Sequence, residues 1–219
     1  YKYPCCTFRG SVVALRIRDG EQVWKTYLVP EPKRTGQTKR GTPQFGPSGA
    51  GVWASPSIDA KRGVMYLATG DNYSQPASAT SDAVLALDRQ TGKILWTRQF
   101  TAGDFFVLNC KNCGPDFDFG QSPILVKLPS GKRALIAGQK SGIVQALDPD
   151  ADGKILWQTR LSPGGTLGGI QWGSAADAAN IYAAVSDTAH ANRALDPAKG
   201  GGLHALQLTT GEKVWSAPP

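Results

Sequence analysis

The sequence predicts an all-β protein: a β-propeller of four-stranded antiparallel blades, of which about three and a half are present. Two observations predict this fold. A similar segment recurs four times along the 219 residues, and each copy ends with a tryptophan four residues after a glycine. The 26 glycines and 15 prolines favour many turns over long helices.

The recurring segment has the pattern of a β-hairpin. The copies read VVALRIRDGEQVW, VLALDRQTGKILW, VQALDPDADGKILW and LHALQLTTGEKVW. Apolar residues alternate before a polar turn, and the glycine supplies the positive φ that a tight turn needs. Because one blade cannot bury both of its faces, we expect the large tryptophan to pack between neighbouring blades. The glycine and tryptophan pairs are Gly20/Trp24, Gly92/Trp96, Gly153/Trp157 and Gly211/Trp215.

Two further strands precede three of these hairpins. The segments that predict these strands are VWASPSIDAKRGVMYLATGD, FDFGQSPILVKLPSGKRALIAGQ and IQWGSAADAANIYAAVSD. We therefore predict a single partial propeller domain over 1–219, with half a blade in 1–30 and whole blades in 50–100, 117–160 and 167–217. Both ends would expose unpaired strand edges. We expect self-association or another chain to complete the ring.

The chain is basic, with a net charge of +7 and a pI of about 9.3. Four of the cations lie together in the segment PEPKRTGQTKRGTPQ, as Lys33, Arg34, Lys39 and Arg40. This predicted loop has no stacking aromatic residues and no recognisable nucleic-acid-binding fold, so we predict no nucleic-acid partner. A solvated basic loop and a docking face for an acidic redox partner both remain open.

The sequence predicts no membrane span, because it has no run of about 18 apolar residues. It has no initiator methionine and no signal sequence, so we expect a mature or cut chain. The histidines His190 and His204 have no ligand spacing, which argues against a cysteine–histidine metal site. A disulfide between Cys110 and Cys113 in an oxidising compartment stays an open interpretation.

The repeat ALDRQTGKILW resembles the tryptophan-docked propeller of the pyrroloquinoline quinone (PQQ) enzymes. The resemblance covers essentially the whole chain. It implies a ring of eight blades, of which this chain is about half. Propellers that are not enzymes use the same repeat, so the repeat alone does not decide the function.

Four positions carry the resemblance further, because each falls where a blade faces the ring axis. VWASPSID resembles the strand whose tryptophan stacks on the quinone, which implies that role for Trp53. LATGDN resembles a strand end that supplies a calcium ligand, which implies Asp71, with Asn72 beside it. GPDFDFGQSP resembles the stretch with the catalytic base, here Asp118. AGQKSGIVQALD resembles the strand end with a basic contact to the quinone, here Lys140.

The resemblance implies a base in a dry, metal-polarised pocket. Asp118 would accept the alcohol proton there, while the bound quinone and Ca²⁺ supply the redox chemistry. The alternative for Asp118 is an aspartate at a strand edge, facing water. We expect the neighbouring Asp116 to cap the preceding turn.

The segment CCTFRGSVVAL departs from the family pattern. Arg9 matches a family arginine that opens the first hairpin, but Cys5 and Cys6 stand where the metal-binding glutamate is usual. Cysteine is a poor ligand for calcium. Alternatively, the two cysteines match the adjacent-cysteine disulfide that some quinoprotein alcohol dehydrogenases hold against the quinone. A buried, unreactive pair is the third possibility.

A further axial strand start lies in GGIQWGSAAD, where Gln171 and Trp172 match an Asn-Trp pair that contacts the cofactor in relatives. Packing in the core is the alternative. Within the family, YPCCTFRGSVVAL, GPSGAGVWASPSID and CGPDFDFGQSPIL most resemble the polyvinyl-alcohol dehydrogenases. This implies an alcohol or polymer substrate, a cytochrome c acceptor and a periplasmic or secreted location. NCKNCG has glycine where haem attachment needs histidine, so we predict no haem in this chain.

Three hypotheses compete. The chain is part of a PQQ- and Ca²⁺-dependent alcohol dehydrogenase, a non-catalytic propeller scaffold for protein assembly, or a fragment that is inactive alone. A scaffold has no reason to keep Trp53, Asp71, Asp118 and Lys140 together. Their joint presence favours the enzyme.

Overall fold

The computed structural model describes residues 3–108, 110, 112–186 and 201–218. Residues 187–200, which include His190 and part of the predicted 167–217 blade, lie outside this described part. The regular elements of the described residues are β-strands. Among the described residues, no helix has the length and apolar character needed to cross a membrane.

The strands form three four-stranded antiparallel sheets and three two-stranded ones. Blade 1 is half a blade, in which β1 pairs with β2. Blade 2 has the order β6-β7-β9-β10, blade 3 the order β11-β12-β13-β14, and blade 4 the order β15-β16-β17-β18. The strands are β1 (Ser11–Leu15), β2 (Gln22–Tyr27), β3 (Lys33–Gln37), β4 (Pro43–Gly46), β5 (Ser48–Gly49), β6 (Ser57–Asp59), β7 (Val64–Ala68), β8 (Asn72–Ser74), β9 (Ala83–Asp88), β10 (Ile94–Gln99), β11 (Ile124–Lys127), β12 (Arg133–Gly138), β13 (Ile143–Asp148), β14 (Lys154–Arg160), β15 (Ser174–Ala176), β16 (Asn180–Val185), β17 (Gly202–Gln207) and β18 (Lys213–Ala217).

The core lies between successive blades. Alternate residues of one strand point to opposite faces of the sheet. In β7, Met65 and Leu67 therefore pack toward blade 1, while Tyr66 and Ala68 pack toward blade 3. A third cluster, which includes Ile136, joins blade 3 to blade 4. The predicted fold class, a partial propeller of antiparallel blades, is confirmed.

Three of the four docking tryptophans pack on the turn glycine of the blade that follows them. Trp24 lies on Gly92, and its indole Nε1 donates to the carbonyl oxygen of Arg89 at 3.1 Å. Trp157 lies on Gly211, and its Nε1 donates to the carbonyl oxygen of Leu208 at 3.1 Å. Trp96 lies on Gly153 in the same way.

The prediction that all four tryptophans pack between blades is wrong for Trp215. Its side chain is 43% exposed. Among the described residues no strand follows β18, and no turn glycine packs on this indole. Tyr182 of the same blade is its aromatic neighbour, at 5.9 Å between ring centroids.

The basic segment is a hairpin of β3 and β4 rather than an irregular loop. Its inner strand is fixed by backbone hydrogen bonds to the Cys5–Cys6 segment. The amide of Cys5 donates to the carbonyl oxygen of Pro43 at 3.4 Å, and the amide of Phe45 donates to that of Cys5 at 2.8 Å.

Antiparallel connectivity sorts the connections onto two faces, since successive strands run in opposite directions. The tight turns at 16–21, 60–63, 89–93, 128–132, 149–153, 177–179 and 208–212 share one end of the blades. We call this end the turn face. The connections at 28–56, 69–82, 100–123, 139–142 and 161–173 share the other end. We call that end the cavity face.

Candidate functional site

Three buried carboxylates meet on the cavity face. Asp71 follows the end of β7, and Asp116 and Asp118 precede β11. One oxygen from each of the three lies within 4.8 Å of the others. They come together because β7 ends and the connection to β11 arrives at the same end of adjacent blades.

Lys140, which follows β12, supplies a cation to this cluster. Its Nζ lies 2.6 Å from Oδ2 of Asp118 and 3.1 Å from Oδ1 of Asp116. Its amide also donates to the carbonyl oxygen of Asp118 at 3.0 Å, which fixes the two backbones together. Burial lowers the pKa of Lys140, but the charges of Asp118 and Asp116 outweigh burial and raise it. Lys140 therefore stays charged.

One ammonium group does not neutralise three carboxylates. The excess of negative charge is clearest at Asp71. Its Oδ2 is buried and has no hydrogen-bond partner among the described residues. Burial raises the pKa of Asp71 to about 9, and the charges of Asp118 and Asp116 add to the increase. The carboxylate therefore favours a proton or a metal ion as its partner.

Asp116 is in a similar position. Burial raises its pKa to about 7, with a further increase from the charge of Asp118, while Lys140 acts in the opposite direction. Carboxylate oxygens are the ligands that Ca²⁺ prefers in proteins. The unpartnered oxygen of Asp71 and the excess negative charge therefore fit a hard divalent cation.

A cavity of about 820 Å³ opens above the carboxylates. Its walls are largely aromatic or apolar, and its polar floor is acidic. The wall residues include Tyr3, Phe8, Trp53, Tyr73, Val107 and Leu108, and the floor is formed by Asp71, Asp116 and Asp118. The size and lining suit a cofactor of drug-like dimensions.

Trp53 stands beside the acidic floor with an open ring. Its side chain is 42% exposed, and the Nζ of Lys140 lies 5.6 Å from its ring centroid. Two glycines let the indole approach the backbone. A Cβ at Gly70 would lie 3.3 Å from Trp53 Nε1, and one at Gly120 would lie 2.7 Å from Cη2 of the same ring. The indole is therefore held in place but keeps a face for stacking.

The structure thus brings together four of the residues singled out in the sequence. Trp53, Asp71 and Asp118 line the cavity, and Lys140 contacts its floor. Trp172 packs edge-on against Trp53, with centroids 5.5 Å apart, and is 81% exposed. It lies at the rim of the cavity rather than in its lining.

Gln171 does not line the cavity. Its side chain is buried, and its Nε2 donates to the carbonyl oxygen of Gly168 at 3.1 Å. It corresponds to the core-packing alternative.

Asn72 requires a correction as a metal ligand, because its side-chain amide is already saturated. Its Nδ2 donates to Ser81 Oγ at 2.6 Å and to the carbonyl oxygen of Asp104 at 2.8 Å. Its Oδ1 accepts from the amide and the hydroxyl of Ser78, at 3.0 and 2.9 Å. Asn72 therefore shapes the loop after β7 and has no oxygen to offer a metal.

Arg9 also lies away from the carboxylates. Its Nε and Nη2 donate to the carbonyl oxygen of Val29 at 3.0 and 2.9 Å, and its guanidinium stacks 3.6 Å from the centroid of Tyr27. It lines a separate cavity with Pro30 and Pro47. The structure thus gives Arg9 a role in fixing the first hairpin.

Cys5 and Cys6 form a disulfide, as do Cys110 and Cys113. We expected the Cys5–Cys6 pair to share one cavity with the carboxylates, but neither cysteine is in the lining of that cavity. Cys6 lines a neighbouring cavity of about 430 Å³, which has Tyr73 and Val107 in common with the first. The pair therefore lies next to the site and outside its lining.

Asp116 is the residue that the sequence reasoning missed. It was expected to cap a turn, but Asp104 does this by accepting the amides of Asp116 at 3.3 Å and Phe117 at 2.9 Å. Asp116 has a φ of 60° and lies outside the strands, so the alternation of an extended chain does not place it in the cavity. Its position depends on the contacts of this connection with Asp104 and Lys140, which the local sequence does not reveal.

Comparison with known proteins identifies relatives of this chain. The family described as PQQ: glucose/ethanol/alcohol dehydrogenase, β-propeller domain, matches residues 4–166. Polyvinylalcohol dehydrogenase from Pseudomonas sp is 42% identical over 99% of this chain and 34% of the relative. Polyvinylalcohol dehydrogenase from Sphingopyxis sp. (strain 113P3) is 41% identical over 98% of this chain and also 34% of the relative.

Among solved structures, the quinohemoprotein alcohol dehydrogenase ADHIIG from Pseudomonas putida HK5 aligns with a TM-score of 0.68 and 17% identity. The alignment covers 97% of this chain and 43% of that one. At this identity the likeness shows the fold alone. The chain spans about a third of the length of the curated relatives it matches. The matched segment and the near-complete coverage of this chain show that it belongs to the PQQ glucose/ethanol/alcohol dehydrogenase β-propeller family.

Proposed function

We propose that this chain carries the cofactor and metal site of a PQQ- and Ca²⁺-dependent alcohol dehydrogenase that oxidises secondary alcohols, including those of a polymer. The observation that carries the proposal is the cluster of Asp71, Asp116 and Asp118 with Lys140, on the floor of an aromatic-walled cavity. The likeness to polyvinylalcohol dehydrogenases supports the substrate class.

The bound groups would supply chemistry that side chains do not have: a two-electron acceptor in PQQ and a Lewis acid in Ca²⁺. Trp53 offers a flat face for stacking at the cavity wall. Asp71 and Asp116 are the proposed metal ligands, and Asp116 takes the place that we first gave to Asn72.

Asp118 is the proposed base that accepts the proton of the alcohol hydroxyl. Its Oδ2 is held by Lys140 at 2.6 Å, and its Oδ1 accepts the amide of Asp71 at 2.6 Å. Both contacts are made to the carboxylate oxygens themselves. They also fix the direction of the carboxylate, so that little reorganisation is needed for proton transfer.

The apolar wall of the cavity would exclude water. Phe8 and Tyr73 stack with ring centroids 5.5 Å apart beside the floor. With their neighbours they would limit the access of water to the carboxylates, which strengthens the electrostatic interactions inside the cavity.

A cytochrome c is the proposed electron acceptor, and a periplasmic or secreted location is proposed with it. The two disulfides support this location, because disulfides persist in oxidising compartments.

The buried carboxylates also argue against a pure scaffold. Burying charge without full compensation is costly, and a scaffold gains nothing in return. The same cluster is useful when a cation and a cofactor occupy the cavity.

The test is thermal unfolding of the protein with Ca²⁺, with PQQ and with both. Both together should raise the melting temperature, because a ligand that binds the folded state stabilises it. Asp71→Asn should abolish the Ca²⁺ effect, whereas Asp177→Asn, an exposed change on the turn face, should preserve it. No shift with any combination would reject the proposal.

Catalysis is tested separately in the full-length protein. Asp118→Asn should keep PQQ binding but lower alcohol oxidation by about two to four orders of magnitude, the usual contribution of a general base. An unchanged rate would reject Asp118 as the base.

A further inference from the structure

We propose that the β3–β4 hairpin is the docking surface for an acidic electron-accepting protein. This inference rests on the proposed function, since it names where the acceptor binds. The hairpin carries Lys33, Arg34, Lys39 and Arg40, and all four side chains are exposed. Glu31 is the sole acidic residue within 31–46.

These cations are not neutralised within the described part of the chain. The ion pairs there involve other basic residues, such as Arg16 and Arg133. Arg34 has only a neutral partner, donating from Nη2 to Oε1 of Gln37 at 3.3 Å. The hairpin therefore presents four uncompensated positive charges to solvent.

Protection of a strand edge explains only half of this charge. Lysine and arginine on an edge strand discourage pairing with another chain, which accounts for Lys33 and Arg34 on β3. Lys39 and Arg40 lie in the turn between β3 and β4, where there is no edge to protect. Two cations thus remain without a folding role.

The hairpin also lies close to the proposed cofactor site. It belongs to the 28–56 connection, on the cavity face. Thr35, Gln44 and Phe45 of the hairpin line the smaller cavity, which shares Tyr73 and Val107 with the larger one. A protein seated on the hairpin would therefore lie beside the entrance to the proposed cofactor site.

The surface around the hairpin has the composition of a protein–protein interface. Tyr3, Phe8 and Leu108 at the cavity wall are 66%, 51% and 82% exposed. An apolar centre with a charged border is typical of protein–protein contacts. Charge complementarity mainly speeds association, which suits a brief encounter with an electron carrier.

The same features disfavour other polyanions. The exposed strand β3 reads KRTGQ and has no apolar side chain to enter a lipid surface. It has no aromatic residue on which a nucleic-acid base would stack. An acidic protein would use both features, with its carboxylates on the cations of the hairpin and its apolar surface against Tyr3, Phe8 and Leu108.

The experiment measures binding of an acidic c-type cytochrome to the full-length protein at low ionic strength. The test variant is K33Q/R34Q/K39Q/R40Q. The matched control is K93Q/K132Q/K154Q/K213Q, which removes four exposed lysines from the turn face and changes the net charge equally. We expect Kd to rise at least about tenfold in the test variant and less than about threefold in the control, because docking depends on local charge.

Three outcomes would overturn the proposal. Equal weakening by both variants would mean that only net charge matters. Equal binding of a basic cytochrome would remove the role of charge sign. Hairpin-dependent binding to vesicles with anionic lipid, without binding to the cytochrome, would identify a membrane surface instead.

A second readout separates this proposal from the proposed function. Alcohol oxidation is followed with a small uncharged dye as acceptor, and the hairpin variant should match the wild type. A wild type that is inactive with the dye would reject the proposed function. An active wild type whose cytochrome binding ignores the hairpin would reject the docking surface alone.

Discussion

The Nζ of Lys140 lies 2.6 Å from Oδ2 of Asp118, and both side chains are buried. The ion pair joins the strand end after β12 to the connection before β11. It also places positive charge beneath the indole of Trp53, 5.6 Å from the ring centroid. This one contact therefore links the fold of blade 3 to the proposed chemistry.

Lys140→Met should be strongly destabilising. Removing one partner of a buried ion pair leaves an uncompensated charge and typically costs about 3–5 kcal/mol. Urea unfolding in the presence of a chelator measures the free energy of unfolding. Lys132→Met, at an exposed position on the turn face, should change it by less than about 0.5 kcal/mol. Equal stability of the two variants would contradict the ion pair.

Much of this site could be predicted from the sequence, because a propeller brings equivalent strand ends together. The resemblance to the quinone enzymes singles out Trp53, Asp71, Asp118 and Lys140, and the four residues do converge. The sequence could not show whether Asn72 is free to bind a metal. Its amide is used by Ser78, Ser81 and Asp104, and nothing in the local sequence reveals those contacts.

In the fold, too, locally determined features were predicted and those that depend on distant contacts were not. The spacing of glycine and tryptophan predicted the hairpins, since the positive φ of the glycine is a local requirement of each turn. The exposure of Trp215 could not be predicted, because its local sequence matches the other three copies and only the missing contact with a turn glycine sets it apart. The hairpin of β3 and β4 was missed because its strand KRTGQ has no apolar alternation.

The docking tryptophans should differ in their contribution to stability. Trp157→Ala removes an indole packed between blades 3 and 4 and should cost about 2–4 kcal/mol, given that the ring is only partly buried. Trp215→Ala, in the chain of residues 1–219, should cost less than about 1 kcal/mol, since 43% of the residue is already exposed. Unfolding by urea compares the two directly. Equal losses would mean that Trp215 is covered in solution, for example by self-association.

Two turn glycines separate backbone strain from docking. Gly20 and Gly92 have nearly equal φ angles, 74° and 73°. Nothing lies within 4 Å of a Cβ built at Gly20, whereas one at Gly92 would lie 2.7 Å from Cδ2 of Trp24. Gly20→Ala should cost about 1–2 kcal/mol, from the left-handed conformation alone.

Gly92→Ala should cost more than Gly20→Ala, by about 1–3 kcal/mol, because the methyl group overpacks the contact with Trp24. The difference should vanish when both substitutions are made in a Trp24→Ala background. A difference that persists there would show that the docking contact is not its cause.

The last prediction concerns Asp82, which is fully buried at the end of the connection before β9. Neither of its carboxyl oxygens has a hydrogen-bond partner among the described residues. Burial raises the pKa of Asp82 from 3.8 to about 9, with a further increase from the charges of Asp104 and Asp118. Between these two pH values the folded state holds a proton that the unfolded state has lost. Stability that depends on this group is therefore present below pH 3.8 and is lost as pH rises toward 9.

Asp82→Asn removes this titration and keeps a residue that tolerates the φ of 49°. With a chelator present, the variant should resemble the wild type near pH 4 and exceed its stability at pH 8 by about 2 kcal/mol, or roughly 6 °C in melting temperature. Asp88→Asn is the control of opposite sign. Hydrogen bonds from Thr91 lower the pKa of Asp88. Its variant should therefore lose stability at pH 8, and the loss should fade as pH falls toward 3. A melting difference for Asp82→Asn that is the same at every pH would show that Asp82 is not held protonated in the folded chain.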